Sequence, residues 1–333
     1  MSGGVDSSVA AALLREDGRD VTGVFLHLGT AGSADGADAR RVARKLGIDL
    51  HVVNVAGDFE PIIRCFADEY ARGRTPNPCI WCNTRVKLAR LTRLADRLGI
   101  GRVATGHHAR VAKVEGEWTI FRARDAAKDQ SYALFAIERE HLPRIILPVG
   151  ELAGKDAVRE RAREFGLAVH DKPDSQEICF VPGGDYAALL AERAPRALTP
   201  GDIVDTDGNV LGRHEGYARF TVGQRRGLGV AAGEPRYVTR IDPATATVTI
   251  GTREQASSAR LTAADAHWHA DLPSEFQATV QVRYNHRGER AQVRQLDGRR
   301  FEATFERPVH AITPGQAAVV YDGERLLGGG WIE

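Results

Sequence analysis

The first residues of the chain, MSGGVDSS, combine side chains suited to holding a phosphate. Gly3 and Gly4 let the backbone approach a ligand closely and adopt positive φ angles at little cost. Asp6, Ser7 and Ser8 lead into an alanine- and leucine-rich helix, whose free N–H groups and dipole favour an anion. The loop lacks the Gly-Lys-Ser/Thr of a Walker loop, so it brings no lysine of its own to the β- and γ-phosphates of a nucleotide. A tight turn capped by Asp6 or Ser7 is the simpler alternative.

A Cys-x-x-Cys pair in GRTPNPCIWCN is the second group with chemical potential. Cys79 and Cys82 are predicted in a loop between two helices, because Pro76 and Pro78 prevent the first helix from continuing. A closed zinc site needs a second pair, which the sequence lacks. A thioredoxin-like redox pair is expected at the start of a helix after a first strand. We favour a third interpretation, sulfur chemistry by a low-pKa cysteine in an electropositive setting.

Two further cysteines lie elsewhere, and four in all are too few for a disulfide scaffold. Cys179 follows the polar residues Asp174, Ser175 and Gln176, where a buried inert thiol and a reactive one are equally open interpretations. Cys65 follows two isoleucines on a helix and is predicted to pack in the core.

Charge is uneven along the chain. The net charge of the 333 residues is +1, but residues 72–110 contain nine arginines or lysines and one acid, Asp96, a local net charge of +8. Such a patch attracts phosphate-rich ligands, although a solvated helix face is the alternative. No apolar run approaches the ~20 residues of a membrane span, and no signal peptide is present. We therefore expect a cytoplasmic protein without a membrane partner.

Two kinds of sequence must position these residues. Up to about Phe180, strand patterns (VTGVFLHL, LHVVNV, the strand end GRVATGHH) alternate with helix patterns (ADARRVARKLG, FEPIIRCFADEYARG, TRVKLARLTRLADRLG). This predicts an α/β fold with a parallel, doubly wound sheet and ligands beyond the carboxyl ends of its strands. From Thr199 the chain changes to short strands with Asp-Gly and Asp-Pro turns, and from Ala263 to cleanly alternating strands, which predicts an antiparallel β-barrel-like module. The predicted domains are 1–184, 185–256 and 257–333.

The string SGGVDSS resembles the PP-loop of ATP pyrophosphatases, which bind ATP and pass AMP to an oxygen of the substrate. A longer ordered set resembles the tRNA-specific 2-thiouridylases (tRNA-uridine 2-sulfurtransferases): SGGVDSS, GRTPNPCIWCN, ATGHHAR, KDQSY, DSQEICF, FTVGQRRGLG, RYN and TPGQAAVVYDGERLLGGG. This resemblance spans nearly the whole chain. It implies a Rossmann-like PP-loop domain, a β-rich middle domain and a C-terminal β-barrel-like domain that contacts tRNA.

The resemblance also implies roles for individual residues. Cys82 matches the nucleophile, and Cys179 matches the cysteine that carries a persulfide. The positions that match the ATP site are Ser2, Gly3, Gly4, Val5, Asp6, Ser7, Leu26 and Gly106. The positions that match tRNA contacts are Asn77, Pro78 and Cys79 facing the target base, and His107, Lys128, Asp129, Gln130, Arg283, Tyr284 and Gln316. A core position for Tyr284 and a turn-closing role for Gln316 are the alternatives.

The implied partners are ATP with Mg²⁺, the tRNA anticodon loop with its wobble uridine, and a persulfide donor such as a cysteine desulfurase or relay protein. The implied reaction adenylates the uridine 2-oxygen and then transfers sulfur from Cys179, giving 2-thiouridine, AMP and pyrophosphate. Two routes stay open: Cys82 releases hydrogen sulfide from the persulfide, or the persulfide attacks carbon and Cys82 resolves the adduct.

The sequence departs from the family pattern in two places. An apolar strand normally precedes the loop, so we expect the first strand to be missing from the sheet. Many members carry aspartate where Cys79 stands, and the extra thiol makes an iron–sulfur cluster on Cys79, Cys82 and Cys179 an alternative; no other metal site is predicted. Two alternative functions remain, a PP-loop ligase or amidotransferase acting on a small molecule and a non-catalytic RNA-binding protein.

Overall fold

The computed structural model describes residues 1–29, 36–173, 178–230 and 233–333, and all structural statements below refer to these ranges. The α-helices are α1 (Val5–Glu16), α2 (Ala37–Leu46), α3 (Ala56–Ala71), α4 (Pro78–Trp81), α5 (Ala89–Leu98), α6 (Lys155–Glu164) and α7 (Tyr186–Arg193). The strands are β1 (Gly23–His27), β2 (Leu50–Asn54), β3 (Val103–Ala104), β4 (Ala109–Val114), β5 (Glu117–Arg122), β6 (Ile145–Ile146), β7 (Gly201–Val204), β8 (Val210–His214), β9 (Tyr237–Asp242), β10 (Thr247–Gly251), β11 (Ser257–Trp268), β12 (Glu275–Gln281), β13 (Glu289–Asp297), β14 (Arg300–His310), β15 (Ala317–Asp322) and β16 (Arg325–Ile332). The predicted order, α/β followed by β, is confirmed.

The parallel strands of the N-terminal region form two separate pairs. β1 and β2 pair in parallel from Gly23 opposite Leu50 to His27 opposite Asn54, and β3 pairs in parallel with β6. In the described ranges no strand joins the two pairs, so the predicted sheet is interrupted between them. The amino group of Met1 donates to the Val24 carbonyl and so lies along the edge of β1.

The helix predicted over TRVKLARLTRLADRLG has a different beginning. Cys82–Leu88 is a π-helical segment, and α5 continues from it to a left-handed Gly99 with φ of 68°. The Thr84 hydroxyl donates to the carbonyls of Ile80 and Trp81, at 3.1 and 3.2 Å. A hydroxyl that donates to backbone carbonyls of the preceding turn competes with the helix N–H groups for these acceptors. This competition accounts for the wider, π-helical start.

The middle region is a four-stranded sheet in the order β8-β7-β10-β9. Its predicted Asp-Gly turn is closed by the Asp205 carboxylate, which accepts from the backbone N–H groups of Asp207 and Asn209, both at 2.9 Å. Side-chain capping of this kind is what makes aspartate favourable in turns.

The C-terminal strands form a closed antiparallel barrel in the order β11-β14-β13-β12-β15-β16, because β11 also pairs with β16. The β4–β5 hairpin extends this sheet through the pairing of Arg325 with Phe121. The N-terminal region therefore contributes two strands to the C-terminal sheet, an attachment that the alternating sequence pattern did not indicate.

Thr75 is a point where all three regions meet. Its backbone N–H donates to the Pro314 carbonyl at 2.9 Å, its carbonyl accepts from the Gln316 amide at 2.7 Å, and its hydroxyl lies 3.2 Å from that of Thr221. The segment leading to the Cys-x-x-Cys pair is thus fixed from the middle and C-terminal regions together.

Candidate active site

Residues 2–8, called the phosphate-type loop below, lead into a helix whose N-terminus has no side-chain cap. α1 begins at Val5, and the N-cap residue Gly4 provides no side-chain cap. The Ser7 hydroxyl accepts from the Ser2 backbone N–H at 3.0 Å and lies 3.1 Å from the Ser2 hydroxyl. Gly3 has a φ of 78°, a conformation that glycine adopts without strain. The serines thus order the loop and leave the first N–H groups of the helix available to an anion.

Asp6, on the first turn of α1, is held by two residues that the sequence analysis missed. Lys155 Nζ lies 2.8 and 2.9 Å from the two carboxylate oxygens, and His108 Nε2 lies 3.1 Å from one of them. Burial alone would raise the pKa of the Asp6 carboxyl, but hydrogen bonds from His108 and Lys155, and their charges, hold this pKa below its usual value. Lys155 begins α6 and is remote in sequence, so no local pattern connected it with the loop.

The TGHH segment packs directly on this loop. A Cβ on Gly106 would lie 2.5 Å from the Ser7 backbone nitrogen, a distance that real Cβ atoms do not adopt. Leu26 lies near the carboxyl end of β1 and pairs with Val53 of β2. Gly106 therefore borders the loop, and Leu26 lies at a strand end, where ligands bind in an α/β fold.

The two cysteines of the Cys-x-x-Cys pair are helical, which corrects the predicted loop. Asn77 caps α4 by accepting from the Cys79 backbone N–H at 3.2 Å, and Pro78 takes the first helical position, where proline is tolerated. Cys82 is the first residue of the π-helical segment. Cys79 is exposed and Cys82 is buried, so the pair spans the boundary between solvent and core.

The predicted low pKa of these thiols is not found. Burial raises the pKa of Cys82 to about 11, and loss of water around Cys79 and Cys179 raises their pKa values too. The positive charge of Lys87 lowers all three pKa values but does not outweigh the burial. The thiols are therefore protonated at neutral pH in this state.

Cys179 lies within electrostatic range of the pair, since a charge on Cys179 would raise the pKa of Cys82 and a charge on Cys79 would raise that of Cys179. The neighbouring Phe180 anchors it, with its ring packing edge-on against Phe66 at a centroid distance of 5.2 Å. The polar residues before it, Asp174, Ser175 and Gln176, lie outside the described residues. Cys65 lies on α3 and is half-buried against the same core, rather than fully inside it.

His107 connects the TGHH segment (residues 105–108) with the cysteine helix, which consists of α4 and the π-helical segment (residues 78–88). Its Nε2 lies 3.2 Å from Asn83 Oδ1 and its Nδ1 lies 2.7 Å from the Thr105 hydroxyl. Because the Asn83 amide nitrogen donates to the Ala133 carbonyl at 3.1 Å, its oxygen faces the ring, so Nε2 is the protonated nitrogen. Burial lowers the pKa of His107 to about 3, and the charge of Lys87 acts in the same direction. The ring is neutral at physiological pH.

Asp129 and Gln130 have their side-chain polar groups engaged within the protein. The Asp129 carboxylate is 5% exposed and accepts from Arg122, the Ala123 N–H and the Ser131 hydroxyl. The Gln130 side chain accepts from the His108 backbone N–H at 2.9 Å. These two side chains therefore order the segment next to TGHH. Lys128 is half-buried in the same segment.

Arg283 and Tyr284 lie in the turn after β12. Gln281, which the sequence analysis missed, accepts from Arg122 at 3.0 Å and donates to the Tyr284 carbonyl at 2.9 Å. Arg283 donates to the His310 carbonyl at 2.9 Å. Tyr284 is 43% exposed, so the core alternative for this residue is wrong. Gln281 and Arg122 thus link the turn to the Asp129 segment.

The positive segment 72–110 is less charged than its sequence indicates, because acids from outside it pair with four of its arginines. The pairs are Arg72 and Arg74 with Glu69, Arg90 with Asp58, and Arg110 with Glu324. Arg93 and Arg97 on α5 and Arg102 are exposed and have no carboxylate partner within the described ranges. These side chains, together with the exposed Arg85, are available to an anionic surface.

A metal site and a membrane-spanning helix each have requirements that the described residues do not meet. Across the described residues, no three His, Cys, Asp or Glu side chains are arranged to hold a metal ion, so the three cysteines do not fit a cluster and we derive no step through one. A membrane-spanning helix, long and apolar enough, is likewise not found among them.

Comparison with known families agrees with this geometry. The family model described as "tRNA methyl transferase HUP domain" matches residues 1–183. The model described as "tRNA methyl transferase PRC-barrel domain" matches residues 188–252, and "Aminomethyltransferase beta-barrel domain" matches residues 258–332. Together the three cover nearly the whole chain in the order of its three regions.

Relatives match at full length. The chain is 45% identical to the tRNA-specific 2-thiouridylase MnmA of Carboxydothermus hydrogenoformans, with all of this chain and 96% of the relative covered. It is also 45% identical to the protein of the same name from Syntrophotalea carbinolica and 41% identical to that from Clostridium perfringens, with all of this chain and 97% of each relative covered. The chain belongs to the family of tRNA-specific 2-thiouridylases.

Proposed function

We propose that this protein is an ATP-dependent tRNA-uridine 2-sulfurtransferase that converts the wobble uridine of tRNA to 2-thiouridine. The observation that carries the proposal is the position of TGHH between a phosphate-type loop and a cysteine helix. Gly106 packs on the Ser7 backbone, and His107 bonds Asn83, the residue after Cys82. The proposed activation and sulfur sites would therefore be adjacent, and the full-length relatives are named tRNA-specific 2-thiouridylases.

The activation site would hold ATP with Mg²⁺. Its residues are Ser2, Gly3, Gly4, Val5, Asp6, Ser7, Leu26 and Gly106. The uridine 2-oxygen attacks the α-phosphorus, the bond to the β-phosphate oxygen breaks, and pyrophosphate leaves toward the N–H groups at the start of α1. Donors already aimed at the leaving charge lower the barrier, because they need no reorganisation. Asp6, whose carboxylate is engaged by Lys155 and His108, would be an outer-shell partner of the Mg²⁺.

The sulfur site would use Cys179 and Cys82. A donor protein transfers a sulfur atom to Cys179, and the terminal sulfur of the persulfide attacks C2 of the adenylated uridine as AMP leaves. The Cys82 thiolate then attacks the Cys179 sulfur, which releases 2-thiouridine and forms a Cys82–Cys179 disulfide. Release of hydrogen sulfide by Cys82 before the attack on carbon gives the same products. In both routes two thiols are oxidised, so an external thiol reductant must restore them.

The tRNA surface would combine exposed cations with ordered loops. Asn77, Pro78 and Cys79 face the flipped target base, and the exposed Tyr284 offers a ring on which a base of the anticodon loop can stack. The remaining proposed contacts are His107, Lys128, Asp129, Gln130, Arg283 and Gln316. Because the Asp129 carboxylate and the half-buried His107 ring are engaged within the protein, these two residues would order the surface. We further propose the domain division 1–184, 185–256 and 257–333 and a cytoplasmic location, where tRNA and a persulfide donor meet.

The direct test is nucleoside mass spectrometry of tRNA after incubation with the protein, ATP, a sulfide or persulfide source and a thiol reductant. We expect 2-thiouridine only in tRNA with a wobble uridine and only with ATP; the matched controls omit ATP or use tRNA with cytidine at that position. Pyrophosphate release that needs no tRNA would favour the small-molecule ligase. Tight tRNA binding without pyrophosphate release would favour the RNA-binding protein.

A further inference from the structure

Lys87 is a half-buried cation to which no carboxylate of the described residues is paired. It lies on the π-helical segment, and its Nζ donates to Asn83 Oδ1 at 2.9 Å. Within the described parts of the chain it has no carboxylate at ion-pair distance. An ammonium group that is removed from water without a counter-ion is unfavourable, so such a site favours an incoming anion.

The network around Lys87 holds the ammonium in place without adding negative charge. Asn83 is 2% exposed and has both ends of its amide engaged, with Lys87 and His107 on its oxygen and the Ala133 carbonyl on its nitrogen. His107 is neutral because burial lowers its pKa to about 3. The Lys87 ammonium is therefore held by the neutral amide of Asn83, which the neutral ring of His107 orders in turn.

The anion that Lys87 faces is indicated by its neighbours. In a π-helix hydrogen bonds join residues five apart, so Lys87 lies on the turn that follows Cys82. Its charge acts on Cys79, Cys82 and Cys179, in each case against the larger effect of burial, which raises the thiol pKa. The other titratable group in this network is His107. The charges of His108 and Asp6 in turn act on the pKa of His107. Lys87 is the cation whose charge reaches all three thiols.

We propose that Lys87 is the anion-binding residue of the sulfur site, where it holds the Cys82 thiolate and the terminal sulfur of a Cys179 persulfide. This rests on the proposed sulfur transfer. A thiol beside Lys87 gives up its proton to solvent more readily because a cation stabilises the sulfur left behind, and the thiolate is the nucleophile. A phosphate of the RNA is the competing anion, but the exposed arginines of α5 are better placed for it.

The test measures alkylation of each cysteine by iodoacetamide between pH 6 and 10, with peptide mass spectrometry and without ATP or tRNA. Since only the thiolate reacts, we expect Lys87→Met to slow alkylation of Cys82 roughly tenfold at pH 8, equivalent to about one pKa unit. Lys87→Arg keeps the charge and should retain most of the rate. Arg85→Met is the matched control, because it removes an exposed cation from the same π-helical segment and should leave the rate unchanged.

A second variant guards against misfolding of Lys87→Met. Asn83→Asp is nearly isosteric and gives Lys87 a carboxylate partner, so it should also slow alkylation of Cys82 while the circular dichroism spectrum stays unchanged. Unchanged alkylation rates in both folded variants would overturn the proposal, and so would a loss confined to tRNA affinity. If the rates shift as expected but tRNA is never thiolated, the anion site stands and the proposed function fails.

Discussion

His107 and His108 are consecutive residues whose rings serve opposite sides of one segment. His108 Nε2 lies 3.1 Å from Asp6 in the phosphate-type loop, and His107 Nε2 lies 3.2 Å from Asn83 on the cysteine helix. The Gln130 side chain holds this dipeptide by accepting a hydrogen bond from the His108 backbone N–H. Two neighbouring rings therefore join the loop that carries Asp6 to the helix that carries Asn83 and Cys82.

Asp6 is the first residue to test in the activation site. We expect Asp6→Asn to abolish tRNA-dependent pyrophosphate release while tRNA affinity stays unchanged, because the variant loses the charge that pairs with Lys155 beside the proposed ATP site. A coupled phosphate assay and filter binding measure the two properties. Asp17→Asn, at the exposed C-terminal end of the same helix, is the control and should behave as wild type. Normal pyrophosphate release by Asp6→Asn would remove the adenylation mechanism.

Gly106 tests whether the TGHH segment must touch the loop. In Gly106→Ala the new Cβ would lie 2.5 Å from the Ser7 nitrogen, so the two segments must separate. Overpacking of this kind costs about 1–3 kcal/mol, and the displaced loop should raise the KM for ATP. Gly101→Ala is the matched control, because nothing lies within 4 Å of its Cβ position. An unchanged KM and melting temperature in Gly106→Ala would show that the contact is not required.

The sequence predicted the fold class and the chemical groups of the site, because both depend on local patterns. Glycine and serine spacing marked the loop, and the Cys-x-x-Cys pair marked the sulfur site. The contacts of Lys155 with Asp6 and of Gln281 with Arg122 join residues more than 140 positions apart. The spacing of residues along the sequence cannot predict such contacts.

The thiol pKa values could not be predicted from the local sequence either. The arginines and lysines around Cys82 indicated an electropositive setting, but four of the arginines pair with acids from outside the segment. Burial in the core then raises the Cys82 pKa to about 11. Burial and long-range ion pairs are tertiary properties, so composition alone gave the wrong direction.

His107 gives a pH prediction for stability. Its pKa is about 3 in the folded protein and 6.5 is the ordinary value, so below pH 6.5 the unfolded state binds a proton that the folded state does not. Stability should therefore fall as the pH falls from about 6.5 towards 3, by at most about 1.4 kcal/mol per pH unit from this residue. Urea unfolding at pH 7.5 and 5.0 should show a smaller difference for His107→Gln than for wild type.

His269 provides the comparison, since burial lowers its pKa to about 4 at a site remote from the cysteines. His269→Gln should reduce the pH dependence of stability in the same way but leave thiolation intact. If neither substitution changes the pH dependence, these histidines are not buried in the neutral form.

Tyr284 tests the tRNA surface. Tyr284→Ala should weaken tRNA binding by about 1–3 kcal/mol, the value of one base stacked on an aromatic ring, and Arg283→Ala should weaken it by loosening the same turn. Leu296→Ala is the control, because Leu296 is similarly exposed on the barrel and has no proposed contact. Affinity measured from 50 to 200 mM salt should fall steeply for wild type. A flat salt dependence would contradict the electrostatic surface.

The cysteines separate the chemical steps. Cys82→Ser and Cys179→Ser should each end thiolation and leave tRNA-dependent pyrophosphate release intact, because serine keeps the shape but cannot carry a transferable sulfur. Cys65→Ser is the matched control on α3 and should lower only the melting temperature, since Cys65 packs against the core. Full thiolation by Cys179→Ser would eliminate the persulfide.

Cys79 decides between the persulfide and the cluster. Cys79 is exposed at the start of α4, so an aspartate there fits without entering the core. In the persulfide mechanism Cys79→Asp purified in air should keep substantial thiolation activity, because Cys82 and Cys179 are unchanged. In a cluster mechanism the same variant should lose activity, and wild type prepared without oxygen should contain iron in proportion to its activity. We expect Cys79→Asp and metal-free wild type to thiolate tRNA at similar rates, and a rate that follows iron content would contradict the disulfide-forming route through Cys82 and Cys179.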